Sequence, residues 1–270
     1  MTIELILDCG PLARHGAEAG GLEDRVQRAK AAGYRSFFCS YEPKALKALG
    51  RGQDLYVVTP DAGRYVRDMN NYGLIRMGLR RVSEAGPGLL SLIPVGLKNA
   101  LGVLKKDFSN ILVILTALEM VRFRRYRPKA VFLHAQMTDL FLANNAGEPI
   151  RRFAGFVRRT YGARPGLCTQ NMVCLIDMLE RERLDIDFLC APINPAGYMM
   201  KPDPEAVARR VQGWKGTVVA DDITCGGAIP LLDALAYLKP LGVEMAVVAA
   251  PVPPDPGRAD KPAVEPSSRS

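Results

Sequence analysis

A chain of 270 residues, 48% hydrophobic and 24% charged, can bury a sizeable core and suits one large globular domain. These proportions exclude a disordered or a low-complexity protein, and the most apolar segment, 111–121, is too short to cross a bilayer. The net charge of +8 has local sources in Arg122, Arg124, Arg125, Arg127 and Lys129, and in Arg151, Arg152, Arg158 and Arg159. The first run precedes a strand, away from any active mouth, and the aromatic residues within the two runs are not spaced in a pattern suited to base stacking, so no nucleic acid partner is expected.

Met1-Thr-Ile-Glu4 carries no basic run ahead of an apolar one, so a cytoplasmic protein is expected. The six cysteines form no CxxC pair and mostly fall in or beside strands, which favours reduced thiols over a disulfide framework or a zinc module.

In chain order, a strand is predicted at 4–8, and a helix at 22–32 that Gly33 terminates. A strand at 36–39 and a helix at 41–49 follow, then a strand at 55–59 closed by Pro60. Five further strands are predicted at 131–134, 166–169, 188–191, 217–220 and 243–249. Helical stripes separate them: Ile150, Phe153, Phe156, Val157 and Tyr161, then Val173, Ile176 and Leu179. Asp203 followed by Pro204 reads as a cap and first helical residue, and Leu231, Leu232, Leu235 and Leu238 line the last helix.

Eight apolar strands alternating with helices predict an α/β fold, a (β/α)8 barrel, over residues 1–250. A long helical insertion, about 62–128, separates the third and fourth strands. Within it, 89–121 is apolar over much of its surface and is expected to act as a lid, a helix pair or a homodimer contact. No eighth helix is expected, because Pro-Val-Pro-Pro leads into a polar tail at 251–270 that reads as disordered.

Barrels of this kind assemble their chemistry at the C-terminal ends of the strands. Those ends carry Asp8, Tyr41, His134 with Gln136 and Asp139, Thr169 with Gln170 and Asn171, Cys190, Asn194 and Asp221. His134 is the candidate general acid/base, since an imidazole titrates near neutrality, and Asp8 is a second candidate acid or orienting group. The remaining polar residues are candidates for substrate contact. Gly226 and Gly227 would offer backbone amides to an anion or cofactor at a helix N-terminus. No spaced ligand set predicts a metal.

Several strand ends resemble the aldo-keto reductases, above all their divergent bacterial relatives. The segments Ala32-Gly-Tyr-Arg-Ser-Phe-Phe-Cys-Ser-Tyr-Glu42, Phe132-Leu-His134, Leu184-Asp-Ile-Asp-Phe-Leu-Cys-Ala-Pro-Ile-Asn-Pro195 and Gly226-Gly-Ala-Ile-Pro230 are similar to that family in order along the chain. The resemblance implies NADPH-dependent carbonyl reduction by an Asp–Tyr–Lys–His set, with His134 as the histidine and Tyr41 as the tyrosine. Phe38 stands where the aspartate is expected and Pro60 where the lysine is. A small-molecule enzyme without NADPH chemistry is therefore expected, a lyase, isomerase or cyclase using His134. An NADPH-dependent reductase with a rearranged set is the alternative, and a non-catalytic small-molecule-binding or interaction protein is the third reading.

Overall fold

Each strand buries both of its faces, one among the barrel's own side chains and the other under helices, which is why the strands read as continuous apolar runs. The computed structural model describes residues 3–10, 22–40, 43–61, 63–65, 67–68, 70–72, 76, 92, 94–96 and 107–249. Its strands are β1 (Glu4–Asp8), β2 (Ser36–Cys39), β3 (Asp54–Thr59), β4 (Ala130–Leu133), β5 (Arg164–Cys168), β6 (Phe188–Pro192), β7 (Thr217–Asp221) and β8 (Met245–Ala249). All pairs are parallel, and β8 pairs with β1 to close the barrel in sequence order.

The interior holds Ile6, Phe38, Tyr56, Val58, Phe132, Phe188, Cys190, Val219, Met245 and Val247. Phe132 is the hub, its ring centroid 5.3 Å from Phe38 and 5.6 Å from Phe188. Gly166, its register partner on β5, makes the room: a Cβ there would come within 2.5 Å of the Phe132 ring. The alternate strand residues, among them Leu7, Phe37, Val57, Val131, Leu133, Leu167 and Leu189, form the larger core beneath the helices.

Between the strands lie α1 (Leu22–Ala31), α2 (Pro43–Leu49), α3 (Phe108–Phe123), α4 (Ala135–Ala143), α5 (Glu148–Tyr161), α6 (Met172–Glu182), α7 (Pro204–Gly213) and α8 (Leu231–Leu238). Asp203 caps α7 by accepting from the Ala206 amide at 2.7 Å, with Pro204 at the first turn, as its sequence predicts. In α5 the apolar stripe of Ile150, Phe153, Phe156 and Val157 turns inward. The arginines of that helix spend their charge locally, Arg152 on Glu148 and Arg158 on Asp185 and Asp187.

Differences from expectation have physical reasons. β5 begins two residues early, across Pro165, whose carbonyl still accepts from Asp187 although its nitrogen cannot donate. β4 stops at Leu133, so His134 is not in the strand but is the N-cap of α4. Cys9 and Cys39, side by side at the ends of β1 and β2, are joined in a disulfide with a Cα–Cα distance of 5.2 Å, against the expectation of reduced thiols throughout.

Of the insertion, the described residues include α3, the following turn Arg124–Tyr126 and short stretches between 63 and 96. α3 turns Leu112, Val113, Ala117, Met120 and Phe123 inward and packs on α5 and β3. Most of 89–106, Tyr41 and the tail 251–270 lie outside the described residues. No helix among the described residues is long and apolar enough to cross a membrane.

Candidate active site at the barrel mouth

The C-terminal ends of the strands surround a cavity of about 790 Å³. Asp8 from β1, Cys168 from β5, Cys190 from β6 and Asp221 from β7 reach it, together with Thr169, Gln170, Asp222 and Thr224 from the loops beyond. The side chains of β8 there are apolar, Val247 and Ala249 among them, which leaves Asp8 and Asp221 flanking an apolar strip.

Asp221 Oδ1 accepts from the Asp222 amide at 2.8 Å, and Asp8 Oδ1 accepts from the Gly10 amide at 2.8 Å. Burial is the main influence on Asp221, and the negative charges of Asp8 and Asp222 add to it. Together they push its carboxyl from 3.8 up to about 6. Behind it, the Cys190 thiol hydrogen-bonds to Cys168; that bond, burial and the nearby carboxylates hold its proton on well above the usual thiol range.

His134 is not among the residues that line this cavity, although it directly precedes the lining residue Ala135 in the chain. Its Nδ1 accepts from the Gln136 amide at 3.3 Å, which leaves the neutral ring's proton on Nε2. Burial pulls its pKa below 6.5, opposed by the charges of Asp61 and Asp139. The imidazole is thus neutral at physiological pH and able to accept a proton.

The sequence-predicted residues divide into two groups. Asp8, Thr169, Gln170, Cys190, Asp221, Gly226 and Gly227 line the cavity. Asp139, Asn171 and Asn194 are committed to the scaffold. Asp139 accepts from the Thr169 hydroxyl and from the Gln170 amide at 3.1 Å, and Asn171 caps α6 by accepting from Cys174. Asn194, fully buried, accepts from the Tyr198 amide at 2.8 Å and donates to the carbonyls of Tyr198 and Asp222. Gln136 is exposed on the first turn of α4.

Gly226 and Gly227 do not start a helix. They sit in the one-turn segment Cys225–Gly227, both at positive φ, and α8 begins only at Leu231. The Gly227 amide already donates to the Thr224 carbonyl at 3.0 Å.

Asp222, which follows Asp221 at the end of β7, also lines the cavity, and one residue escapes the sequence reading. Glu119 lies 6% exposed on α3 and accepts from the Thr59 hydroxyl at 2.8 Å and the Asp61 amide at 3.1 Å. A lone carboxylate within the apolar run 111–121 was its one sequence signal. No group of three or more His, Cys, Asp or Glu among the described residues is placed to hold a metal ion.

The chain matches no family model, and no curated protein matches it. The structure shows the closed eight-stranded parallel barrel, and no family match supports the aldo-keto reductases in particular. Phe38, in the aspartate's expected place, packs in the barrel interior on Phe132.

Proposed function

We propose that the protein is a small-molecule enzyme that moves protons without a nicotinamide cofactor, as a lyase, isomerase or cyclase, with His134 and Asp221 as its acid/base groups. One observation carries this reading: the Asp221 carboxyl, poised at about 6, faces the mouth cavity. A group with that pKa can both give and take a proton near neutral pH. His134, held neutral and one residue before the lining Ala135, supplies the base, and Asp8 raises the proton affinity of Asp221.

The lining does not favour NADPH. Among the described residues it offers three carboxylates, Asp8, Asp221 and Asp222, and no lysine or arginine for a diphosphate. Of the two glycines that might have held it, Gly227 already donates its amide to the Thr224 carbonyl. A reductase with a rearranged catalytic set remains the second reading, supported by the barrel and by the histidine after β4.

Solvent exchange tests the first reading. In D2O without added cofactor, proton-transfer enzymes exchange the acidic C–H of a bound ligand even when full turnover stalls. We expect the protein to exchange such protons in a panel of small carbonyl compounds, followed by proton NMR. Asp221→Asn and His134→Asn should abolish it. Saturable quenching or enhancement of NADPH's own fluorescence, with no exchange in the panel, would favour the reductase. Trp214 is unsuited as the reporter, because it lines a different cavity, with Arg164 and Thr217 at the opposite ends of the strands.

A further inference from the structure

Four of the six cysteines form cross-strand neighbours at the mouth end of the barrel. One pair, Cys9 and Cys39, is bonded. The other pair, Cys168 and Cys190, is not. We propose that Cys168 and Cys190 are a redox-active dithiol on the floor of the mouth cavity, which a small neutral peroxide oxidises to a cross-strand disulfide.

Geometry carries the argument. Cys168 and Cys190 are direct register partners on β5 and β6, and both side chains belong to the barrel interior. Neighbouring strands lie about 4.8 Å apart, inside the roughly 4.4–6.8 Å window of Cα separations that a disulfide spans. Cys168 packs against the interior cluster that contains Cys190, so the two sulfurs already sit on the same face of the sheet. Both residues line the mouth cavity, and they differ in access. Cys168 is partly exposed, whereas Cys190 is 1% exposed.

That difference assigns the order of events. Cys190 is buried and keeps its proton, which leaves the more accessible Cys168 as the sulfur that attacks. The Cys168 thiolate breaks the O–O bond of the peroxide, gaining one oxygen as a sulfenic acid and releasing hydroxide. The Cys190 sulfur then displaces the hydroxyl from Cys168, and its proton leaves with that hydroxyl as water. In sum, two thiols and one hydrogen peroxide give one disulfide and two waters; the sulfurs lose two electrons and the peroxide gains them. Asp8, Asp221 and Asp222 around the cavity disfavour an anionic oxidant such as glutathione disulfide, whereas hydrogen peroxide enters unopposed. This inference rests on the thiols and not on the acid–base reading above, in which neither thiol transfers a proton.

The test uses the full chain and no substrate. Protein treated with hydrogen peroxide is unfolded, alkylated with N-ethylmaleimide and mapped by mass spectrometry. We expect Cys168 and Cys190 to lose alkylation together and a Cys168–Cys190 linked peptide to appear, before the exposed Cys174 is oxidised. In Cys190→Ser, with folding checked by circular dichroism, Cys168 should stop at the sulfenic acid and be captured by dimedone. In Cys168→Ser, Cys190 should resist capture. Oxidation of Cys174 while the pair stays reduced would overturn the proposal. So would a disulfide made by glutathione disulfide but not by peroxide, or dimedone capture of Cys190 in Cys168→Ser.

Discussion

Thr59 donates its hydroxyl proton to Glu119 across 2.8 Å, and through this bond α3 is tied to the end of β3 at the barrel mouth. The same carboxylate accepts from the Asp61 amide, which fixes the backbone of the residue whose charge acts on His134. Burial raises the pKa of Glu119 above 4.5, so the folded protein holds this proton more tightly than the unfolded chain does.

The consequence for stability has a definite sign. Between 4.5 and the raised folded value the native state binds more protons, so Glu119's contribution to stability falls as pH rises through that window. Glu119→Gln should flatten this segment of the stability–pH curve. Glu119→Ala should cost about 1–3 kcal/mol, because it strips both a hydroxyl and an amide of their buried acceptor. Urea unfolding across pH separates the two. An Ala variant as stable as the parent would mean that water replaces the carboxylate.

Packing of the barrel interior is tested at Gly166. A methyl group there meets the Phe132 ring at 2.5 Å, and that ring is held by Phe38 and Phe188, so it has no free side to move to. Gly166→Ala should destabilise by roughly 1–3 kcal/mol. The double variant Gly166→Ala with Phe132→Leu should recover part of the loss. Additive costs in thermal unfolding would show that the two residues do not share this space.

Asp221 should reveal its environment directly. Its carboxyl carbon should titrate near 6 by NMR. Asp8→Asn should lower that value, because the Asp8 charge is among the groups that raise it. Because the folded value exceeds 3.8, stability from this group is present below 3.8 and is lost as pH rises to about 6. Asp221→Asn should therefore be at least as stable as the parent at pH 8, by no more than about 3 kcal/mol. A carboxyl titrating near 4 would remove the acid/base role from it.

The barrel was legible in the sequence because every strand is buried on both faces, so each reads as an apolar run ended by polar or turn residues. Strand boundaries were less so: Pro165 stands inside β5, where its missing donor hides the strand's first turn of pairing. At the site, position along the chain located the mouth but could not say which polar groups were already spoken for. Asn194 and Asp221 both follow strand ends, yet Asn194 is consumed by the Tyr198 and Asp222 backbone while Asp221 faces the cavity. Glu119 was unreadable because its partners, Thr59 and Asp61, lie about sixty residues away along the chain.

His134 carries two roles, and its substitutions tell them apart. As N-cap of α4 it accepts from the Gln136 amide, a task that asparagine performs equally well. His134→Ala should lose about 1 kcal/mol through the missing cap, while His134→Asn should keep the stability. Neither can transfer a proton, so exchange or turnover should fall by a factor on the order of 10²–10⁴ in both. The folded imidazole titrates below 6.5, so the neutral form's share of stability is present above that value and is lost as pH falls beneath it. His134→Asn should accordingly be less sensitive to acid than the parent. In the NMR titration the chain's two histidines, His15 and His134, are told apart by the same variant. Asp61→Asn should move the His134 value lower still, since the Asp61 charge opposes the effect of burial. An unchanged titration in Asp61→Asn would mean that Asp61 does not reach the ring. Undiminished exchange in His134→Asn would leave His134 as a helix cap alone and put the proton transfer on Asp221.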